Sequence, residues 1–117
     1  MIKAEFFTGG DGRIEGFHIS GHAGYAEAGE DIICAAVSAV AYTALGYMDE
    51  LLVKETGRNL DFTEKDGELL WRRRGSIDGL EAEKVDAVLD AMKVGMLQIE
   101  GSYGKKYLNV TSQEVRS

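Results

Sequence analysis

Proline is absent from this chain of 117 residues, and cysteine occurs once, at position 34. Without proline there is no Pro-rich linker, and no low-complexity tract interrupts the chain, so nothing marks a domain boundary. At 44% hydrophobic content, the length suits one domain, residues 1–117, with a core of its own. A single thiol cannot close an internal disulfide, and Met1-Ile2-Lys3-Ala4-Glu5 lacks the build of a signal peptide; both point to the cytoplasm. The longest low-charge stretch, residues 32–48, is alanine-rich and carries Ser38, Tyr42 and Thr43, so no membrane span is expected. Positive charge is scarce as well: 13 Lys and Arg stand against 20 Asp and Glu, a net charge of −7. The one basic cluster, Arg72-Arg73-Arg74, ends a predicted strand instead of forming a face with aromatic platforms. Direct nucleic-acid binding is therefore not expected. An acidic surface suits a basic protein or peptide partner by charge steering.

What is present reads as an α+β fold. Ile2-Lys3-Ala4-Glu5-Phe6-Phe7-Thr8 and Arg13-Ile14-Glu15-Gly16-Phe17-His18-Ile19-Ser20 alternate in polarity around Gly9-Gly10-Asp11-Gly12, the pattern of a β-hairpin. A loop over residues 21–30 leads to a long helix from about residue 32 to about residue 54. Residues 60–63 and 68–72 flank Glu64-Lys65-Asp66-Gly67, a second hairpin. Asp78-Gly79-Leu80-Glu81 has capping-box spacing. Val85, Val88, Leu89, Met92, Met96 and Ile99 then recur at three- and four-residue steps, a helix with Glu83, Lys84, Asp86 and Asp90 outward. Residues 107–111 close as a strand, giving β-β-α-β-β-α-β, a sheet packed with two helices. Trp71, Phe62 and Phe6 read as core, and His18 as a residue of the opposite strand face. In the first helix Ile33, Val37, Val40, Ala44, Met48 and Leu51 form one apolar stripe, yet Ala35, Ala39, Tyr42 and Gly46 opposite carry no charge. Such a helix is covered on both sides, one packed on the sheet and the other against the second helix or another subunit, which points to a homodimer.

His22 and Cys34 carry the chemistry. The stretch over residues 21–31 is almost free of bulky apolar side chains and reads as a loop. With Asp31 as N-cap, Cys34 becomes the third helical residue and Ser38 follows one turn on, about 40° around the axis. There the free N–H groups and the dipole of the helix start stabilise a thiolate. A histidine from the preceding loop then serves as general base and general acid. The N–H groups of the helix start, with those of Gly21 or Ala23, are candidate oxyanion donors. Asp31 has two competing roles, capping the helix or orienting the His22 ring. Blander readings stand beside these: Cys34 as a small buried hydrophobe, His22 as a loop histidine, Ser38 bonded back to the Cys34 carbonyl. A metal site of His18, His22 and Cys34, with Asp31, matches none of the compact zinc spacings and ranks below catalysis, so no metal or cofactor is expected.

Gly21-His22-Ala23 followed by Gly29-Glu30-Asp31-Ile32-Ile33-Cys34-Ala35-Ala36-Val37-Ser38 closely resembles the signature of the bacterial ribosomal-processing cysteine proteases, the Prp family. The match is specific over residues 21–38 and extends through chain length and element order over the rest. The resemblance implies Cys34 as nucleophile, His22 as its base, Asp31 and Ser38 as supporting residues, and residues 23–30 as a loop over the substrate. It also implies a small α/β homodimer that removes an N-terminal extension from large-subunit ribosomal protein number twenty-seven, cutting after an aromatic-rich segment that ends in alanine. The alternative from another class is a non-catalytic, ribosome-associated interaction domain in which Cys34 is structural.

Overall fold

The computed structural model describes residues 1–21, 28–56, 62–65, 67–74 and 77–115. The elements follow the expected order: β1 (Ile2–Thr8), β2 (Ile14–Ser20), α1 (Ala28–Thr56), β3 (Phe62–Lys65), β4 (Glu68–Arg72), α2 (Gly79–Tyr103) and β5 (Leu108–Glu114). They build one five-stranded sheet in the order β3-β4-β2-β1-β5. Only β5 runs parallel to its neighbour, β1; the other pairings are antiparallel.

Strand alternation sorts the two faces of the sheet. Ile2, Ala4 and Phe6 of β1, Phe17 and Ile19 of β2, and Leu69 and Trp71 of β4 are buried on one face. The Phe17 ring stacks on Trp71 at 6.1 Å between centroids, and Phe6 tilts against Phe17 at 6.2 Å. Lys3, Glu5, His18, Ser20, Asn109 and Thr111 line a groove on the other face. His18 lies there as expected, its Nε2 3.1 Å from Glu68 Oε1.

Both helices pack on the apolar face and against each other. α1 buries Ile33, Val37, Ala41, Leu45, Met48 and Leu52, and α2 buries Ala82, Val85, Leu89, Met92 and Met96. Against the expectation of no spanning segment, Ile32–Lys54 is 23 residues of helix apolar enough to cross a membrane by length and composition. Its buried stripe accounts for much of that apolarity, because the stripe forms the protein's own core. Ala35, Ala39, Tyr42 and Gly46 are exposed, so α2 does not cover the second side.

Four local expectations are corrected. α1 begins at Ala28, four residues early, because Ala28, Glu30 and Asp31 are all acceptable in a first turn and acidic residues there favour the helix dipole. β3 extends to Lys65, so Glu64 and Lys65 belong to a strand and pair with Leu69 and Glu68, with Gly67 at φ +81°. Asp78 is the N-cap of α2 but its side chain makes no capping bond, so the box is not formed. Phe62 is 42% exposed, since β3 is an edge strand whose side chains lie outside the core.

Asp86, expected outward, is drawn into an ion cluster. Its carboxylate accepts from Arg73 Nη2 at 2.7 Å and pairs with Arg13 Nε at 3.0 Å. The Arg73 side chain is only 7% exposed and donates as well to the Ile14 carbonyl at 3.0 Å.

Candidate active site

Cys34 sits six residues after the first residue of α1, not in its first turn. The N–H groups without helical partners are the first four of a helix, and the dipole's effect fades within that turn. The Cys34 N–H therefore belongs to the helical ladder, and the expected activation by a free helix start does not act at this thiol. The same shift places Asp31 inside α1 and removes it from the N-cap position. What does hold is the placement of the thiol beside the apolar stripe. Ile33 and Val37 are 1% and 3% exposed, whereas Cys34 is half-buried against the core and Ser38 is exposed.

A groove of about 150 Å³ opens at this edge, between α1 and the β3–β4 hairpin. Cys34, Ser38 and Tyr42 line it from α1, with Val37 and Ala41 beneath them. Ile2, Ile19 and Leu69 supply an apolar floor from the sheet, and Glu64, Gly67 and Glu68 form the facing wall. Gly21 closes the part of the groove where β2 ends. Its φ of +92° lies in the region that favours glycine, and a Cβ there would collide with the Met1 carbonyl oxygen. Glycine is thus what lets the chain leave β2 tightly against β1 at the groove.

Of the candidate residues, the structure brings Gly21, Cys34 and Ser38 to one groove. His22 and Ala23 lie outside the described residues, as does the loop around them; of Asp31 the backbone is described, on the same helix face one turn before Cys34. His18 belongs to the open face of the sheet, while its neighbour Ile19 lines the groove. The His18 and Cys34 pairing of the metal reading is therefore not formed. Tyr42 and Glu64 were not singled out as site residues. The four-residue spacing of Cys34, Ser38 and Tyr42 could have found the first; no local signal could have found the second, since it reaches the groove only through the packing of the hairpin beside α1.

Glu64 also sets the state of Tyr42. Its carboxylate accepts a hydrogen bond from the phenol and, with some burial, holds the Tyr42 pKa above the ordinary 10.0. A half-buried thiol in an apolar groove, flanked by a polar hydroxyl and a tightly turned backbone, can hold a peptide and attack a carbonyl carbon.

Residues 1–108 match the family model described as cysteine protease Prp. The chain is 33% identical over 112 residues to the ribosomal processing cysteine protease Prp of Bacillus subtilis (strain 168), covering 96% of this chain and 97% of that one. It is similar to the S. aureus ribosomal processing protease Prp solved in complex with a covalently linked product peptide, with a TM-score of 0.72 and 25% identity over 97% of this chain and 100% of that one. A Streptococcus mutans protein of solved structure gives the same TM-score, 0.72, at 26% identity over 98% of this chain and 96% of its own.

Proposed function

Because this chain belongs to the Prp family of cysteine proteases, we propose that it removes the N-terminal extension of large-subunit ribosomal protein number twenty-seven, with Cys34 as nucleophile and His22 as base. The observation that carries the proposal is the groove: the chain's only cysteine is half-buried in its wall, together with Gly21, the residue that His22 follows. A purely structural cysteine, as in a non-catalytic interaction domain, is better served by the core a few ångströms away, where Ile33 and Val37 already sit.

The chemistry follows from these parts. The Cys34 thiol loses its proton to His22 and its sulfur attacks the scissile carbonyl, forming a C–S bond and an oxyanion. The oxyanion collapses, the C–N bond breaks, and His22 returns the proton to the leaving amine. Water, deprotonated by His22, then hydrolyses the thioester and frees the thiol. With α1 starting at Ala28, the oxyanion donors in this scheme come from the backbone at Gly21 or Ala23 and not from the helix start. Asp31, no longer a cap, takes the role of orienting His22, and Ser38, one turn beyond Cys34, offers a hydroxyl to the bound peptide. The net charge of −7 suits a basic ribosomal protein met in the cytoplasm. A homodimer formed through the uncovered side of α1 completes the proposal.

The test is mass spectrometry of the precursor ribosomal protein after incubation with the wild type and with Cys34→Ala. The wild type is expected to release the extension and the variant to leave it attached. The melting temperature should differ by only a few degrees, since a half-buried Cys→Ala change costs about 1 kcal/mol or less. Release of the extension by Cys34→Ala would remove the nucleophile assignment.

A further inference from the structure

Cys34 and Tyr42 stand on one helix face eight residues apart, roughly 12 Å at about 1.5 Å per residue. That distance is spanned by three to four residues of extended peptide, at about 3.3 Å each. The groove between them is floored by apolar side chains, and its 150 Å³ or so is of the size that accepts one benzene-like group. Neither carboxylate of the hairpin is free, and that of Glu68 is turned to the open face of the sheet. Glu64 accepts from Tyr42, and Glu68 Oε1 lies 3.1 Å from His18 Nε2. They are poorly placed to serve as a free subsite for a substrate cation, and Glu64 instead joins the hairpin to α1 across the groove. The bond to Glu64 in turn raises the Tyr42 pKa above the ordinary 10.0.

We propose that Tyr42, pinned across the groove by Glu64, is a specificity-determining residue: its ring forms the end of the groove against which one apolar side chain of the bound peptide, three or four residues from the scissile bond, must pack. The inference rests on the reading of the Cys34 groove as the peptide site. Tyr42 is a positioning residue here. It touches a remote part of the substrate and fixes the register in which the chain presents its carbonyl to the thiol. A ring held by a second residue loses less freedom on binding than an unrestrained one, so the contact is made at low entropic cost.

The experiment measures kcat and KM on a fluorogenic peptide that spans the cleavage junction. In companion peptides each residue within four positions of the scissile bond, on either side, is replaced in turn by alanine. With the wild type, alanine at one position three or four residues away is expected to lower kcat/KM about tenfold, the scale of one aromatic contact. Tyr42→Ala should lower kcat/KM for the parent peptide by a similar factor, carried mainly by KM, and should erase the penalty of the alanine peptide. Tyr42→Phe, which keeps the ring and loses the bond to Glu64, should fall between. Because Tyr42 is 45% exposed, these variants are expected to melt with the wild type, and alkylation of Cys34 by iodoacetamide should keep its rate. A Tyr42→Ala enzyme with the wild-type profile at every position would overturn the inference while leaving the peptide site standing, as would an equal loss of kcat across all peptides. Wild-type enzyme that cuts the intact ribosomal precursor but shows no side-chain preference at any position would overturn it too. Wild-type enzyme that cuts neither peptide nor precursor would overturn the reading of the groove, and the inference with it.

Discussion

At Gly21 the chain leaves β2 with φ +92°, pressed against the Met1 carbonyl. An alanine there has to adopt a strained backbone and push Met1 away from the sheet at the same time, which costs about 1–3 kcal/mol. Relief of that strain moves the end of β2, and with it the groove wall beside Cys34 and the attachment point of His22. Gly21→Ala is therefore expected to lose catalysis out of proportion to stability. Urea unfolding should give a deficit within that range, while kcat/KM for the ribosomal precursor falls at least tenfold under conditions where the variant stays folded. A variant destabilised by that amount yet fully active would mean that the exit from β2 does not set the site. Asp31 shows how a single residue can be misread at this scale. Aspartate suits both the N-cap and the first turn of a helix, so the residues Asp31-Ile32-Ile33-Cys34 alone fit either start. Only the observed start at Ala28 separates the two, moving Cys34 into the helical ladder and freeing Asp31 from capping.

At the scale of elements, the exit of β4 is tied to the rest of the fold by Arg73. Its backbone N–H donates to the Glu15 carbonyl at 2.7 Å, and its guanidinium reaches Ile14 and Asp86. β4, β2 and the first turns of α2 thus meet at one buried cation. Asp86 is 26% exposed and keeps Arg13 as a second partner at 3.0 Å, whereas Arg73, only 7% exposed, keeps just the longer pair from its Nε to Glu15 at 3.5 Å. Removal of the acid should therefore cost more than removal of the base. Asp86→Ala is expected to lose about 2 kcal/mol and Arg73→Met about 1 kcal/mol, because a buried charge left with only its longer pair to Glu15 is worse off than a well-packed apolar replacement. Chemical denaturation of both variants checks the order, and equal or inverted losses would refute it. Most elements were legible because their signals are local: alternation with a glycine turn for the two hairpins, and three- and four-residue spacing for α2. The core positions Phe6, Trp71, Val85, Leu89, Met92 and Met96 followed from the same periodicities. Strand order was not legible, since pairing β2 with β4 and β5 with β1 joins segments distant in sequence. Phe62 was misjudged for the same reason, its aromatic character suggesting core while the sheet order makes β3 an edge. Of the Cys34 groove, Gly21, Cys34 and Ser38 were legible from the motif they belong to, but its far wall arises only where the hairpin packs beside α1.

The whole molecule is a two-layer structure, with both helices on one face of the sheet, and the outer surface of that helical layer holds an apolar groove. Ala39, Val40, Thr43 and Ala44 of α1 and Val88, Ala91, Met92 and Gly95 of α2 line an external groove of about 300 Å³. Its one hydroxyl, on Thr43, donates to the Ala39 carbonyl at 2.6 Å, so that donor is already satisfied. Small residues on both helices leave room for another helix to approach closely, and Val94 and Leu97, 53% and 43% exposed, extend the same layer. A second copy of the chain can present the same self-complementary surface through a two-fold axis. This is the interface expected for the proposed homodimer. Sedimentation of the wild type at micromolar concentration should give a dimer, and Ala39→Glu or Ala91→Glu, each placing a charge at an exposed position of this layer, should give a folded monomer that melts below the wild-type dimer at matched protomer concentration, since the association energy is lost. A wild type that sediments as a monomer would remove the homodimer, and glutamate variants that remain dimeric would put its interface elsewhere. The external groove and the Cys34 groove share no lining residue. The monomeric variants are accordingly expected to retain kcat/KM per site within about threefold, and a far larger loss would mean that the partner protomer helps to hold the catalytic groove in shape.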